Sequence, residues 1–293
     1  KELAVKIQYP GIADSIKSDL ALLKPFVLRM FNMKGKMSDD YFLEVQDKLL
    51  EETDYILEID QSQEIVDACK HIPNLMFPNY YKELSSKQII TMDWMKGIHL
   101  SEFTNINTSQ EKSNSLGQAL WDFYMFQIHN LKKVHADPHP GNFLISEDVQ
   151  LIALDFGCMK TIPLDFYTPY FVLARVETLA DKKLFEEKMY DLEILLPSDS
   201  KEESTFFSAM FHEMLTIFTQ PFHAETFDFS SEEFFAQISE FGDKFAKSTE
   251  LRSYNASRGS KHFIYMNRTF FGLYNLMFDL KAKDIKINNF INL

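Results

Sequence analysis

The 293-residue sequence has few cysteines, few basic residues and no long apolar run. Its two cysteines, Cys69 and Cys158, stand in no metal-binding spacing such as C-x-x-C. We therefore expect a reducing compartment in which both act as small apolar side chains. No stretch reaches the roughly 18 apolar residues that predict a membrane-spanning helix. The sequence opens in a strand-like segment with neither an initiator methionine nor a signal peptide, so we expect it to be part of a longer protein.

Basic residues are outnumbered by acidic ones, 30 against 43, which gives a formal net charge of −13. An acidic surface disfavours binding to a nucleic-acid backbone. It would also repel a phosphate ligand unless a metal cation or local basic groups intervened. Otherwise the composition, with 45% hydrophobic and 25% charged residues, is that of an ordinary globular protein.

Hydrophobic periodicity predicts an α+β arrangement in two lobes. The first part reads as a strand at 3–8, helices at 13–31 and from Ser38 to about residue 70, and short strands at 75–80 and 87–93. After a linker at 94–100 come a helix at 109–131 opened by Ser109, a hairpin of apolar runs at 143–145 and 150–154, and mostly helix beyond Gly157. Phenylalanine is concentrated in this last part, where its three- and four-residue spacing indicates a packed core.

Three polar residues carry the strongest chemical signal: Asp137, Asn142 and Asp155. The first two lie in the loop H-A-D-P-H-P-G-N at 135–142, and the third opens D-F-G at 155–157, one hairpin later. One carboxylate can orient or accept a hydroxyl proton, while a second carboxylate and an amide oxygen are hard ligands suited to Mg²⁺. The order H-x-D-x-x-x-x-N followed by D-F-G matches the signature of protein kinases.

A lysine in the first strand, Lys6 in A-V-K-I, fits the same interpretation. In kinases the strand lysine contacts nucleotide phosphates and pairs with a glutamate on a helix. The long helix offers Glu51, Glu52, Asp54 and Glu58 as partners. One straight helix cannot point all four carboxylates at one site.

With these motifs the sequence resembles the UbiB (AarF) family of atypical, protein-kinase-like proteins. The family's strand motif is matched by V-K-I-Q-Y-P-G at 5–11 and its E-x-D motif by Glu52-Thr53-Asp54. Its catalytic loop and its metal motif are matched at 135–142 and 155–157. The four matches follow the family's order along the chain.

The resemblance implies a two-lobed, kinase-like fold with a truncated small N-lobe of strands and a long helix, and a larger, mostly helical C-lobe. Residues 1–93 would form the N-lobe with an inserted helix. Residues 94–160 would hold the linker, a helix, the catalytic loop and the metal-binding hairpin. Residues 161–293 would complete the C-lobe.

Roles also follow from the resemblance, residue by residue. Asp137 would stand at the catalytic-base position, and Asn142 and Asp155 would bind Mg²⁺. Lys6 would contact the phosphates of ATP and pair with Glu58.

The E-x-D pair, Glu52 and Asp54, would lie near the metal and the nucleotide, and Glu52 remains an alternative partner for the lysine. The adenine is expected at the linker between the lobes, held by backbone groups of Met92, Asp93, Trp94 and Met95. The side chains of Met92, Trp94 and Met95 would supply apolar contacts.

Three departures from ordinary kinases bear on the activity. The family's Lys-x-Gly-Gln motif and its Ala-rich loop would both precede Lys1. Ala136 stands where ordinary kinases have arginine, so activation through a phosphorylated loop lacks its basic partner. No A-P-E motif follows Asp155, so a peptide-binding segment is not evident. These departures argue against ordinary protein phosphorylation.

The leading interpretation is an ATP-dependent phosphotransferase or ATPase of the UbiB type, supporting isoprenoid-quinone (ubiquinone) biosynthesis or lipid homeostasis. The alternatives are a small-molecule kinase of the aminoglycoside or choline type and a nucleotide-sensing scaffold that binds a lipid or a protein partner. The implied ligands are ATP or ADP and Mg²⁺, the implied partners are lipids or quinone-pathway proteins, and no nucleic acid is expected. The expected location is the cytoplasm of a bacterium, with peripheral membrane association, or the mitochondrion of a eukaryote.

Overall fold

The computed structural model describes residues 1–30, 36–106, 108–254 and 258–287. The N-terminal part contains β1 (Leu3–Ile7), α1 (Ile12–Met30), α2 (Lys36–Glu51), α3 (Tyr55–Cys69), β2 (Leu75–Met76) and β3 (Ile89–Asp93). The middle contains β4 (Ile98–His99), α4 (Leu100–Phe103), α5 (Gln110–Phe126), β5 (Lys133–His135), β6 (Phe143–Ile145), β7 (Leu151–Ala153) and β8 (Met159–Thr161). The remainder contains α6 (Leu164–Leu173), α7 (Val176–Ala180), α8 (Lys182–Asp191), α9 (Lys201–Phe218), β9 (Thr226–Phe227), α10 (Glu232–Ala246), α11 (Thr249–Ser253), α12 (Phe263–Asp279) and β10 (Ile285–Lys286).

The first strand lies against β3 as an antiparallel pair, with Lys6 opposite Ile90. Ile90 is fully buried and packs with Tyr55 and Ile59 of α3. Because side chains alternate along a strand, Lys6 turns inward while its neighbours in β1 are exposed. The strand pair therefore presents Lys6 to the start of α3.

The prediction of one continuous helix from Ser38 to about residue 70 is wrong, because the chain breaks between α2 and α3. Asp54 caps the N-terminus of α3, since its Oδ1 accepts from the amides of Ile56 at 3.1 Å and Leu57 at 3.2 Å. Gln8, just past β1, holds the break by donating to the Thr53 carbonyl at 2.7 Å. The E-x-D segment thus lies at a corner and not on a helix face.

Helix α2 is fastened to the C-terminal part of the chain. Glu44 forms ion pairs with Lys160 of β8 and, at 2.8 Å, with Lys261. The Tyr41 hydroxyl donates to the Gly259 carbonyl at 2.5 Å, near the start of α12. Near the end of α2, Lys48 donates to the Met159 carbonyl of β8 at 3.2 Å, so the corner at 52–54 lies beside β8.

The predicted helix at 109–131 begins as expected, with the Ser109 hydroxyl accepting from the Lys112 amide. Its α-helical part ends at Phe126, and a single wider π-type turn covers Gln127–Leu131. Lys132 then adopts the left-handed conformation, with φ 52°, and the chain enters β5. Such a wider turn inserts an extra residue and so changes the direction of exit. The exit leads into the loop at 136–142.

The two apolar runs form the predicted hairpin, β6 paired antiparallel with β7, and every residue of both strands is buried. β5 pairs with β8 on the other side of the loop at 136–142. The loop and the residues just after β7 therefore lie at neighbouring strand ends. This topology brings the two segments on either side of the hairpin to one place.

Phenylalanine forms much of the helical core, as the spacing predicts. Phe207, Phe229 and Phe234 are buried, and Trp121 of α5 packs between Phe222 and Phe229 with ring centroids 5.8 and 5.5 Å away. The expectation of helix beyond Gly157 holds except for the short strands β8, β9 and β10. Among the helices of the described residues, none is both long and apolar enough to cross a membrane.

Candidate active site

Lys6 joins two carboxylates that come from distant parts of the chain. Its Nζ lies 2.7 Å from Glu58 Oε1 and 3.0 Å from Asp155 Oδ2. Glu58 stands in the first turn of α3, below the strand pair, and Asp155 follows β7. The ring of Tyr55 lies 5.1 Å from the same ammonium group. The structure thus places Glu58, and not Glu52, against Lys6.

The protonation states of this trio follow from burial and mutual charge. Burial alone would lower the pKa of Lys6, but the charges of Asp155 and Glu58 outweigh it and raise that pKa above its ordinary value. Burial, reinforced by the charge of Asp155, raises the pKa of Glu58 to about 7. Of the three groups, Glu58 is therefore the one that titrates near neutrality.

Asp155 is held in one orientation by its own turn. Its Oδ1 accepts from the Gly157 amide at 2.9 Å. Burial would raise the pKa of Asp155, but the charge of Lys6 and this backbone hydrogen bond outweigh it, so the pKa is lowered. A Cβ atom on Gly157 would lie 3.3 Å from both Asp155 Oδ1 and Glu58 Oε2. Glycine at this position leaves room for the two carboxylates to approach each other.

The loop at 136–142 is shaped by its own polar groups. The Asn142 side chain donates from Nδ2 to the Asp137 carbonyl at 2.9 Å, which leaves its Oδ1 as an acceptor. The ring of His139 accepts from the Gly141 amide at 3.1 Å, so it supports the turn. His135 is buried, and its ring lies 5.9 Å from that of Phe156. Both histidines help to shape the loop.

Sequence reasoning missed one residue at this loop, Arg268. From α12 its Nη2 donates to Asp137 Oδ1 at 2.5 Å. No motif surrounds it, and its only signal in the sequence is an arginine in a chain that has few, set among aromatic residues in N-R-T-F-F. The pair brings α12 to Asp137, the residue for which the resemblance implies the role of catalytic base.

The E-x-D residues have different surroundings. The Glu52 carboxylate lies near the thiol of Cys158, and the charges of Asp137, Arg268 and Asp155 act on it. Burial raises the pKa of Glu52, and the acidic neighbours add to that effect.

Asp54, in contrast, is exposed, and its Oδ1 is used as the cap of α3. The structure therefore brings Glu52 to the cluster and gives Asp54 a structural contact that the resemblance does not imply.

The linker begins directly after β3, the strand that pairs with the one carrying Lys6. Leu3 stands opposite Asp93, three positions along the strand from Lys6, which is roughly 10 Å at the rise of a β-strand. The Asp93 carboxylate accepts from Tyr81 and Asn79, at 2.7 Å each, and pairs with Lys1.

These contacts hold the pKa of Asp93 well below its ordinary value, with Lys1 the largest cause. Trp94 is 58% exposed, and Met95 is half-buried. The side chain of Asp93 is thus engaged within the protein, while Trp94 and Met95 provide apolar surface.

The donor set fits Mg²⁺ bound together with a nucleotide. Mg²⁺ usually takes one or two protein ligands and completes its shell with phosphates and water. Asp155 and the Asn142 Oδ1 would be such ligands, and the buried Glu58 Oε2 is a further acceptor without a hydrogen-bond partner in the described structure. Within those residues no three His, Cys, Asp or Glu side chains form a ready metal cage. The arrangement suits a metal that arrives with phosphates.

Residues 1–188 match the model of the ABC1 atypical kinase-like domain, which is more than half of the chain. The chain belongs to the ABC1 family of atypical kinase-like proteins. The resemblance to UbiB and AarF proteins is thereby confirmed. Family membership favours the UbiB-type interpretation over a kinase of the aminoglycoside or choline type.

Curated relatives of this ABC1 chain include two named atypical kinases. It is 28% identical over 235 residues to "Atypical kinase COQ8B, mitochondrial" of Danio rerio, a match that covers 79% of this chain and 37% of that protein. It is 31% identical over 185 residues to "Atypical kinase COQ8, mitochondrial" of Saccharomyces cerevisiae, covering 62% of this chain and 36% of that protein. The ABC1 chain therefore spans little more than a third of the length of these relatives.

A solved structure supports the fold of the ABC1 chain. Rv3197 of Mycobacterium tuberculosis, determined as a complex with erythromycin, superposes with a TM-score of 0.64. The identity is 22%, and the match covers 98% of this chain and 69% of that one. Together with the family match, it confirms the α+β, kinase-like fold.

Proposed function

We propose that this ABC1 chain binds Mg-ATP at the Lys6, Glu58 and Asp155 cluster and acts as an ATPase or phosphotransferase. The biological role we propose is support of isoprenoid-quinone biosynthesis or lipid homeostasis. The observation that carries the proposal is the position of the Lys6 ammonium group, within 3.0 Å of both carboxylates. The residue before Asp155, Leu154, donates its amide to the Asn142 carbonyl at 3.0 Å, which joins this cluster to the loop at 136–142. Family membership and the COQ8-type relatives support it.

The surroundings of each residue support a role for it in binding Mg-ATP or in phosphoryl transfer. Asp155 and the Asn142 Oδ1 would hold Mg²⁺, which supplies charge neutralisation on the phosphates when bound. Lys6, oriented by Glu58, adds a fixed positive charge for the phosphate oxygens. Asp137 orients the acceptor hydroxyl or water. Such transfers are accelerated mainly by positioning and by electrostatic stabilisation of the transition state.

Arg268 limits what can approach Asp137. Its guanidinium takes one oxygen of that carboxylate, so an acceptor must use the other oxygen or displace the arginine. A water molecule or a small hydroxyl compound meets this condition more readily than a folded protein surface. The absence of an A-P-E motif in the sequence points the same way.

The test is nucleotide binding by an Asp155→Asn variant. We expect Mg-dependent ATP affinity, measured by isothermal titration, to fall by at least about tenfold, because the metal loses its charged ligand. Asp148→Asn is the matched control, since Asp148 is exposed in the turn of the same hairpin. Unchanged affinity in Asp155→Asn, or no stabilisation of the wild type by Mg-ATP, would contradict the proposal.

Lipid or quinone-pathway partners and peripheral membrane association belong to the same proposal. The COQ8-type relatives, named as mitochondrial proteins, support it. Sedimentation with phospholipid vesicles, and ATP turnover with and without them, tests this part. If the chain did not sediment with the vesicles and its ATP turnover did not change in their presence, this part of the proposal would be contradicted.

A further inference from the structure

Helix α12 has one face on the catalytic loop and another on a cavity. Arg268 and Gly272, four residues apart and hence on one face, contact Asp137 and Pro138. The contact at Gly272 is close, since a Cβ there would lie 2.3 Å from Pro138 Cγ. The adjoining face, with Asn267, Phe270, Phe271 and Tyr274, lines the cavity.

The cavity lies between α6, α9 and α12 and has a volume of about 240 Å³. Aromatic and aliphatic side chains form most of its wall, and no wall residue is charged. Representative members are Phe171, Leu215, Phe218 and Phe270. Phe271, 49% exposed, and the exposed Asn267 stand where α12 meets solvent. The cavity is therefore apolar inside and bordered by exposed residues.

The polar groups of the wall offer little to a polar ligand. The Tyr274 hydroxyl donates to the Phe218 carbonyl at 2.9 Å, and the Thr219 hydroxyl donates to the Leu215 carbonyl at 2.6 Å. Burial raises the pKa of Tyr170, whose side chain forms part of the wall. A charged ligand would lose its hydration here without an opposite charge to replace it.

The size of the cavity limits the ligand. Engineered apolar cavities of about 150 Å³ stay dry and bind benzene. At about 240 Å³ this one accommodates somewhat more than a single ring. We propose that the cavity binds a neutral hydrocarbon group, either one aromatic ring with a short alkyl substituent or the end of an alkyl chain, and that occupancy shifts the catalytic loop through α12.

The second half of the inference rests on the proposed function and on the rigidity of a helix. A ligand that moves Phe270 or Phe271 moves Arg268 and Gly272 with them, because all four belong to the same α-helix. Gly272 has no space to absorb that motion against Pro138. The loop that carries Asp137 must then shift, and the affinity of the nucleotide site changes with it.

Binding is tested first, without nucleotide, by titrating toluene as the ring probe and 1-hexanol as the chain probe. We expect at least one probe to saturate the wild type. Ala174→Leu fills the cavity from the end of α6 and should lower the affinity for that probe by at least about tenfold. Ala246→Leu, at an exposed position that does not line the cavity, is the matched control and should bind as the wild type does.

A second variant keeps the test decisive if Ala174→Leu does not fold. Phe271→Ala truncates a half-exposed wall residue, a change that folded proteins tolerate well. It should lower the affinity for the same probe. Failure of both probes to bind the wild type would overturn the inference. Undiminished binding by a folded Ala174→Leu or Phe271→Ala protein would overturn it as well.

Coupling is tested by measuring Mg-ATP affinity with and without a saturating amount of the probe that binds. We expect a change of about fivefold or more in the wild type and in Ala246→Leu, and none in Ala174→Leu. Unchanged affinity in the wild type would overturn the coupling. Absence of any ATP binding would contradict the proposed function and the coupling together, whereas the nucleotide-free titration judges the cavity independently.

Discussion

Arg268 and Asp137 form an ion pair at 2.5 Å although 131 residues separate them in the sequence. The arginine belongs to α12, the last long helix, and the aspartate to the loop after β5. The helical part of the chain therefore completes the site that the N-terminal motifs begin. It does more than provide a core.

The first prediction concerns this pair. In Arg268→Gln we expect ATP turnover to fall by about tenfold or more, since Asp137 loses the group that orients it. The free energy of unfolding should fall by only about 1 kcal/mol or less, because both side chains are well exposed. Arg175→Gln, at an exposed position before α7, is the control. Turnover equal to that of the wild type would contradict the prediction.

The second prediction concerns pH and Glu58. A carboxyl group whose pKa is higher in the folded protein stabilises the fold below its unfolded pKa and loses that contribution as pH rises through the folded value. For Glu58 the loss occurs between about pH 4.5 and about pH 7, and it lowers the free energy of unfolding by about 3 kcal/mol. Urea unfolding at pH 5 and pH 8 should show the loss in the wild type and a smaller one in Glu58→Gln. Glu64→Gln, exposed on the same helix, should behave as the wild type.

The third prediction uses two glycines in helices. Replacing a helical glycine by alanine normally stabilises a protein by about 1 kcal/mol. Gly242→Ala in α10 should do so, since nothing lies within 4 Å of its added Cβ. Gly272→Ala should instead destabilise the fold and lower ATP turnover, because its Cβ would overlap Pro138. Equal gains in thermal midpoint for both variants would show that the contact with Pro138 is loose.

The fourth prediction concerns the cap at Asp54. Asp54→Ala should cost about 1 kcal/mol of stability, while Asp54→Asn should cost little, because asparagine caps helices as well as aspartate does. Chemical denaturation measures both. If Asp54→Asn lost as much stability as Asp54→Ala, the hydrogen bonds from the amides of Ile56 and Leu57 would not be the source of the stabilisation by Asp54.

Local elements were predictable where one periodicity or one cap decides the conformation. β6 and β7 are short apolar runs on either side of a polar turn, and α5 begins at a serine cap. The loop residues Asp137, Asn142 and Asp155 could be singled out because their chemistry and order are distinctive. None of these predictions needed a contact from another part of the chain.

The features that were missed depend on such contacts. Residues 51–54 are acidic or polar and tolerate a helix, and the corner is held by Gln8 from a separate strand. The site of Arg268 depends on how α12 packs on Pro138, which no spacing within the helix indicates. For the same reason, the choice between Glu52 and Glu58 as partner of Lys6 stayed open until the corner was known.

The corner at residues 52–54 has one further consequence. On one side, α2 is tied through Glu44 to Lys160 and Lys261. On the other, α3 is packed under the strand pair that carries Lys6. Glu52 therefore lies where two helices meet that are anchored to different parts of the chain, so a displacement of one helix relative to the other would act on the backbone at this acidic residue.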